Sequence, residues 1–93
     1  MILSFHDRDS EKVFNGEYIR RLPKELHKKA LMRLMAINSA KQIEELRIPP
    51  SNRLHKLAGD RKNQLSISIN DQYRICFMFE DGNATNVEIV DYH

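Results

Sequence analysis

The sequence predicts a single small α+β domain in which N-terminal helices pack on an antiparallel β-sheet. Two patterns support this fold class. Apolar residues recur at helical spacing in the segment after Pro23, and from residue 65 onward they alternate with polar residues, as in half-buried strands. The 93 residues are enough for one independent core. We therefore treat residues 1–93 as one domain.

Two short elements are expected before the main helix. Met1–Phe5 is a candidate strand, and Ser10–Phe14 can form a helical turn that Ser10 caps and Gly16 ends. Both are short because turn residues and charges follow each of them closely. The N-terminal fifth of the chain is thus expected to contribute one strand and one turn of helix.

The main helix is predicted to begin at Pro23, which suits a first helical position. Helical structure can extend over Gln42–Leu46 until Pro49 and Pro50, which cannot lie inside a helix and impose an extended connector. The apolar face expected to pack on the sheet consists of Leu26, Ala30, Leu31, Leu34 and Ile37.

Three strands are predicted to follow as a meander. Leu65–Ile69 and Tyr73–Phe79 alternate apolar and polar residues, and Asn70–Gln72 joins them as a tight hairpin. Asp81–Asn83 supplies a second turn before a last strand over Thr85–Asp91. The strands would present one apolar face to the helices.

The opposite face of this half-buried sheet would show Ser66, Ser68, Arg74, Cys76 and Met78. Arg74 differs from its neighbours because a guanidinium in the middle of a strand is costly to bury unless it meets an anion. This position is therefore a candidate anion contact.

Composition narrows the class of protein. With 30% charged and 41% hydrophobic residues and no repeat, the chain is typical of a folded globular protein. Cys76 is the single cysteine, so neither an intrachain disulfide nor a multi-thiol zinc site is available. No apolar run is long enough for a signal peptide or a membrane span. These observations favour a reducing compartment, and the cytosol is the expected location.

The charge is unevenly distributed. Residues 1–62 carry a net charge of +6 and residues 63–93 a net charge of −4, which leaves +2 for the whole chain. Arg47, Arg53, Lys56, Arg61 and Lys62 cluster in sixteen residues that contain Asp60 alone as an acid. Basic residues at this density are typical of a surface that binds a polyanion such as nucleic acid, although a solvated surface loop has the same pattern.

The sequence ends in three groups that can handle protons. Asp91, Tyr92 and His93 follow the apolar run Val87–Val90, which would anchor them at the rim of the sheet. A carboxylate, a phenol and an imidazole placed together indicate a candidate catalytic edge.

Three segments of the chain form a specific signature. They read Leu-His-Lys-Leu-Ala-Gly-Asp-Arg at residues 54–61, Ser-Ile-Ser-Ile-Asn-Asp-Gln-Tyr-Arg-Ile at residues 66–75, and Glu-Ile-Val-Asp-Tyr-His at residues 88–93. Together they resemble the HigB branch of the RelE-type bacterial toxins. The likeness extends over nearly the whole chain, including its first five residues. It implies the small RelE-like fold, with helices on an antiparallel sheet.

The resemblance also implies a function. Proteins of this branch are toxins of type II toxin–antitoxin systems that cleave mRNA on the translating ribosome and so inhibit translation, without a metal or another cofactor. Each has a cognate HigA-like antitoxin, usually encoded just downstream, whose helix-turn-helix binds operator DNA. The toxin is thus expected to meet DNA only through its antitoxin and to have no membrane role.

The family places its working groups at His55, Arg74, Asp91, Tyr92 and His93. His55 and His93 would carry protons in the attack of a ribose 2′-OH on the adjacent phosphate, with contact to RNA alone as the alternative for His55. Arg74 would stabilise the pentacovalent intermediate. Asp91 would orient an imidazole or form a structural ion pair with an arginine. Tyr92 would stack on a base or donate a hydrogen bond to phosphate.

The residues expected to grip the RNA backbone are Arg53, Lys56, Arg61 and Lys62. Ala58 is a departure from the family, because some relatives have a lysine three positions after the histidine. Either Lys56 or Arg61 would have to replace that cation. Otherwise catalysis would be weak.

Two other functions remain open at this point. Related ParE proteins share the fold but inhibit DNA gyrase as non-catalytic binding modules, and a catalytically weak toxin could act mainly as an antitoxin partner. A terminal imidazole near a strand arginine favours the ribonuclease, because a gyrase-binding module has no need of one.

Overall fold

The computed structural model describes residues 1–92 of the chain. Within this range, two α-helices lie against a four-stranded antiparallel sheet, with 3-10 turns between them. The α+β fold class is therefore confirmed. The helices are α1, Arg8–Phe14, and α2, His27–Ser39. The strands are β1, His55–Lys56, β2, Leu65–Ser68, β3, Tyr73–Glu80, and β4, Asn83–Asp91.

Helix α1 begins earlier than the sequence indicates. Its N-cap is Asp7, whose Oδ1 accepts a hydrogen bond from the backbone N–H of Ser10 at 2.8 Å. Ser10 is instead buried inside the helix, and its Oγ accepts from the N–H of Ile89 on β4. The expected cap was wrong because this serine is used to join the helix to the sheet.

Helix α2 packs the expected apolar face on the sheet, with Ala30, Leu34 and Ile37 fully buried. A 3-10 turn over Lys24–Leu26 precedes it. A second 3-10 turn, Ile43–Arg47, occupies the place where further helical structure was expected. Residues 48–64 then run as a connector to β2 that contains β1 and short 3-10 turns over Pro50–Asn52 and Gly59–Arg61.

The sheet has the order β1-β2-β3-β4, in which every neighbouring pair is antiparallel. The predicted hairpin between β2 and β3 is present, and the side chain of Asn70 closes it by accepting from the N–H groups of Gln72 and Tyr73. Strand β1 was not predicted, because a two-residue strand carries no periodicity.

Residues 1–6 pair with the outer edge of β4. The chain runs parallel to β4 through bridges Ile2–Ala84 and Phe5–Val87, and the N–H of His6 donates to Val87 O at 2.9 Å. The predicted strand at Met1–Phe5 is therefore an extended segment with two isolated bridges rather than a regular strand.

The sheet is buried on both faces around β2 and β3. One face carries the core against the helices, with Ile67, Ile75 and Phe77 fully buried. The connector crosses the other face, so Ser66, Ser68, Arg74 and Cys76 are buried rather than shown to solvent, while Met78 remains 39% exposed. No helix within residues 1–92 is long and apolar enough to span a membrane.

Candidate active site

Arg74 is at the centre of the buried polar cluster on the connector side of the sheet. It lies on β3 between Ser68 of β2 and Val90 of β4, and only 9% of the residue is exposed. Its Nε donates to Ser66 Oγ at 2.8 Å, and its Nη2 donates to the backbone carbonyl of Arg53 at 2.9 Å. These bonds fix the plane of the guanidinium.

Desolvation dominates the electrostatics of this arginine. Burial lowers the pKa of Arg74. Tyr92 and Cys76 raise this pKa, and the positive charge of Arg53 lowers it further. The guanidinium nevertheless stays protonated, as arginine does in proteins. Within residues 1–92 the partners of Nε and Nη2 are a hydroxyl, a carbonyl and an imidazole, so these residues hold the cation with neutral groups. An approaching anion would therefore be attracted strongly.

His55 is held directly against Arg74. Its Nδ1 lies 3.0 Å from Nη2 of Arg74. A guanidinium can only donate, so Nδ1 accepts and the ring proton resides on Nε2. Nδ1 also lies 3.2 Å from Arg53 O. In this tautomer the two atoms do not bond to each other, because both accept from Nη2 of Arg74. Within residues 1–92 the Nε2–H of this exposed side chain makes no hydrogen bond, so it can face a ligand.

Tyr92 covers the outer side of the guanidinium. The Cζ atom of Arg74 lies 5.5 Å from the centre of the Tyr92 ring, a cation–π contact. The N–H of Tyr92 donates to Gln72 O at 2.6 Å, which extends the pairing between β3 and β4 by one residue. The ring is 47% exposed and has a free surface on which a base could stack.

Asp91 lies on a different side of the sheet. It is the register partner of Tyr73, whereas the partner of Arg74 is Val90, so the side chains of Asp91 and Arg74 project from opposite faces. The Asp91 carboxylate accepts from Gln72 Nε2 at 3.2 and 3.3 Å. The structure thus brings His55, Arg74 and Tyr92 together and places Asp91 at the adjoining turn. His93, the fifth expected group, lies outside the described residues.

The four cations expected to bind RNA have different surroundings. Arg53 has a left-handed backbone with φ 48° and an exposed side chain near Asp71, with 3.7 Å between Nη1 and Oδ1. Arg61 donates to Glu88 at 3.1 Å, so a carboxylate already compensates its charge.

Lys56 opposes Leu65 in the sheet and therefore projects from the face opposite to that of His55, while Lys62 is an exposed residue after a 3-10 turn. Arg53 is nevertheless close to the cluster, because its carbonyl accepts from Nη2 of Arg74 and its positive charge lowers the pKa of Arg74.

Two residues of the site were missed by sequence reasoning. Ser66 orients Arg74, and the strand alternation that puts both on one face was a signal that could have found it. Gln72 binds both Asp91 and the backbone of Tyr92, but nothing in a turn residue indicates such a role.

Comparisons with known proteins show the family of this chain. A family model described as the RelE-like toxin of the type II toxin–antitoxin system HigB matches residues 3–93. The chain is 40% identical over 87 residues to Toxin HigB-1 of Vibrio cholerae serotype O1. This alignment covers 92% of each of the two chains. It is 33% identical over 93 residues to Endoribonuclease HigB of Proteus vulgaris, which covers both chains completely. The resemblance seen in the sequence motifs is confirmed: this chain belongs to the HigB-like family of RelE-like toxins of type II toxin–antitoxin systems.

Proposed function

We propose that this toxin is an endoribonuclease that cleaves mRNA on the translating ribosome, in the cytoplasm, by metal-independent attack of a ribose 2′-OH on the adjacent phosphate. The observation that carries the proposal is the buried Arg74 guanidinium, whose Nε and Nη2 bond to neutral groups within residues 1–92, beside the exposed side chain of His55. The name of the Proteus vulgaris relative, an endoribonuclease, supports the same activity.

Arg74 supplies the stabilisation of charge in this mechanism. Charge accumulates on the non-bridging oxygens as the 2′-oxygen adds to phosphorus, and a donor fixed beforehand in a dry site stabilises that charge most effectively. Nε and Nη2 are used to hold the side chain, whereas within residues 1–92 Nη1 makes no hydrogen bond. Nη1 would therefore donate to the phosphorane.

His55 would act as a second donor to the phosphate. Because its Nδ1 accepts from Arg74, the ring would have to give up that bond before it could take a proton at this atom. Within residues 1–92 its Nε2–H is available without any change. We therefore assign His55 a hydrogen bond to a phosphate oxygen and assign the removal of the 2′-OH proton to His93, which Asp91 would orient. The P–O5′ bond then breaks to leave a 2′,3′-cyclic phosphate, and the departing 5′-oxygen takes a proton from water. Tyr92 would stack on a neighbouring base.

The type II family implies an antitoxin partner for this toxin. We propose that it is a HigA-like helix-turn-helix protein encoded by the adjacent downstream gene, and that the toxin contacts operator DNA only through it. Co-expression tests this pairing. The downstream product should abolish growth arrest and copurify with the toxin, and a downstream product that does neither would contradict it.

The activity is tested by primer extension on a translated message after induction. The unmodified toxin should cut the message only when it is translated, and Arg74→Ala should reduce cleavage by about 100-fold or more, the range for loss of one charge-stabilising donor. Arg74→Lys should restore part of the activity, because lysine keeps the charge but lacks the planar fork. Arg20→Ala, at an exposed arginine on the segment between the helices, is the matched control.

Three outcomes would contradict the proposal. Equal cuts in naked RNA would indicate a free ribonuclease. Intact message together with trapped gyrase–DNA breaks would indicate the ParE-like alternative. An Arg74→Ala protein that is unfolded by circular dichroism would show that Arg74 is a structural residue.

A further inference from the structure

A second polar site adjoins the Arg74 cluster. It is a cleft of about 170 Å³ between the first turns of α2 and the β2–β3 hairpin. We call it the α2–hairpin cleft, and its polar lining consists of Lys29, Ser51, Arg53, Ser68, Asn70 and Asp71. The volume equals roughly six water molecules, so the cleft can hold a phosphate group but not a protein helix.

The cleft is positively charged. Lys29 and Arg53 line it, and Arg33 is fixed at its wall, where Nε donates to Ser68 O at 3.1 Å and Nη2 to Ser51 Oγ at 3.4 Å. The opposing charge is Asp71, whose side chain is 97% exposed and lies 3.7 Å from Arg53. An ion pair this exposed is weak. Asp71 can therefore turn away from Arg53, and the cleft keeps a net positive charge for an anion.

Two residues connect the cleft to the candidate active site. Arg53 lines the cleft with its side chain while its carbonyl holds Arg74. Ser68 also lines the cleft and is the direct register partner of Arg74, so their Cα atoms are about 5 Å apart. A strand of RNA whose scissile phosphate lies on Arg74 thus has a neighbouring phosphate within reach of the cleft.

We propose that the α2–hairpin cleft binds a backbone phosphate of the mRNA next to the cut, with the exposed Lys29 and the hydrogen-bonded Arg33 as its cations. This inference rests on the proposed function. It assigns RNA binding to two residues of α2 that lie far from the basic segment Arg47–Lys62 in sequence. The ligand is the phosphodiester of a single-stranded message, and ribosomal RNA is the competing source of the same group.

Lys29→Gln tests the cleft, and Lys28→Gln is its matched control. Both lysines are exposed on the same turn of α2, but Lys28 lines a different surface with Tyr18 and His27. On ribosomes programmed with a short message, Lys29→Gln should lower kcat/KM about fivefold at low salt, as for loss of one exposed charge pair. The slope of log kcat/KM against log salt should fall in magnitude by roughly 0.7, as for one single-strand phosphate. Lys28→Gln should leave both unchanged.

A scan of the message locates the phosphate. Each linkage near the cut is replaced in turn by a neutral methylphosphonate with a 2′-O-methyl ribose, and the same ribose with a normal phosphate is the control. At one linkage, the neutral replacement should weaken cleavage by the unmodified toxin about fivefold. The same replacement should not further weaken cleavage by the Lys29→Gln variant. This lack of additivity would show that the two changes remove one contact.

The outcomes separate this inference from the proposed function. An unmodified toxin that leaves translated message uncut would overturn both. If the toxin cleaves but Lys29→Gln and Lys28→Gln behave alike, the cleft inference fails alone. It also fails if Lys29→Gln weakens cleavage but couples to no linkage of the message, because the lysine would then contact ribosomal RNA.

Discussion

Ser66 Oγ accepts a hydrogen bond from Nε of Arg74 at 2.8 Å, and both residues are buried. The serine sits on β2 and the arginine on β3, so the bond crosses the middle of the sheet. It leaves the terminal nitrogens of the guanidinium directed toward the connector side, where His55 and Arg53 meet Nη2. Ser66 is therefore a positioning residue for the proposed reaction.

Ser66→Ala should lower kcat/KM for cleavage by about tenfold, because a hydrogen bond to a charged group contributes about 1.5–3 kcal/mol and Nε would be left buried without it. The measurement is cleavage of ribosome-bound message by the purified variant.

Ser10→Ala provides the control for the stability change that accompanies this substitution. Ser10 is equally buried and also accepts one N–H bond, but from Ile89 on the helix side of the sheet. Both variants should lose thermal stability, and only Ser66→Ala should lose activity. Equal activities of the two variants would remove Ser66 from the mechanism.

The His55 assignment is tested with His55→Gln and His55→Ala. The glutamine amide can place an N–H near the position of Nε2, so His55→Gln should keep more activity than His55→Ala, and neither change should alter the shape of the pH–rate profile. A loss of 100-fold or more in both variants, together with loss of one limb of the profile, is typical of a general acid or base. That result would make His55 a proton carrier.

His93→Ala should reduce cleavage by about 100- to 10,000-fold, the usual contribution of a general acid or base. Its effect on unfolding free energy should stay below about 0.5 kcal/mol, as for most substitutions outside the packed core. Undiminished cleavage would exclude His93 from the mechanism, and a large fall in Tm would indicate a structural role.

Cys76 predicts a loss of stability at alkaline pH. Burial raises the pKa of its thiol above the ordinary value of 9.0, so the folded protein holds this proton more tightly than the unfolded chain does. The resulting stability is complete below pH 9.0 and is lost as pH rises through the folded pKa, by at most about 1.4 kcal/mol per pH unit. Cys76→Ala should be less stable at pH 7, because it leaves a cavity. The difference from the unmodified protein should narrow above pH 9; parallel curves would contradict this.

The regular elements of this fold were predictable because their signals are local. The face of α2 and the alternation in β2 and β3 each depend on residues a few positions apart, and the Asn70 turn has its own side-chain chemistry. Arg74 was predictable for a related reason, since a mid-strand guanidinium must find partners wherever the chain supplies them. Its role in cleavage stays a prediction.

The partners themselves could not be read from the sequence. The carbonyl that holds Arg74 belongs to Arg53, and a main-chain group leaves no trace in residue type. Burial of the second sheet face likewise depends on the path of a connector without periodicity. Helix α1 begins earlier than predicted because Asp7 is its N-cap, whereas the hydroxyl of Ser10 bonds to β4.

The pairing of residues 1–6 with β4 affects how this protein folds during its synthesis. Val87 receives His6 as a partner only after about eighty further residues have been synthesised, which at about 5–20 residues per second takes on the order of ten seconds. During this interval the first residues lack their bridge partners. From the completion of β3 at Glu80 until β4 follows, β3 also has an unpaired edge. Such distant pairings also slow folding. A newly translated chain therefore passes through a period in which it is vulnerable to proteases and self-association, before β4 closes the sheet.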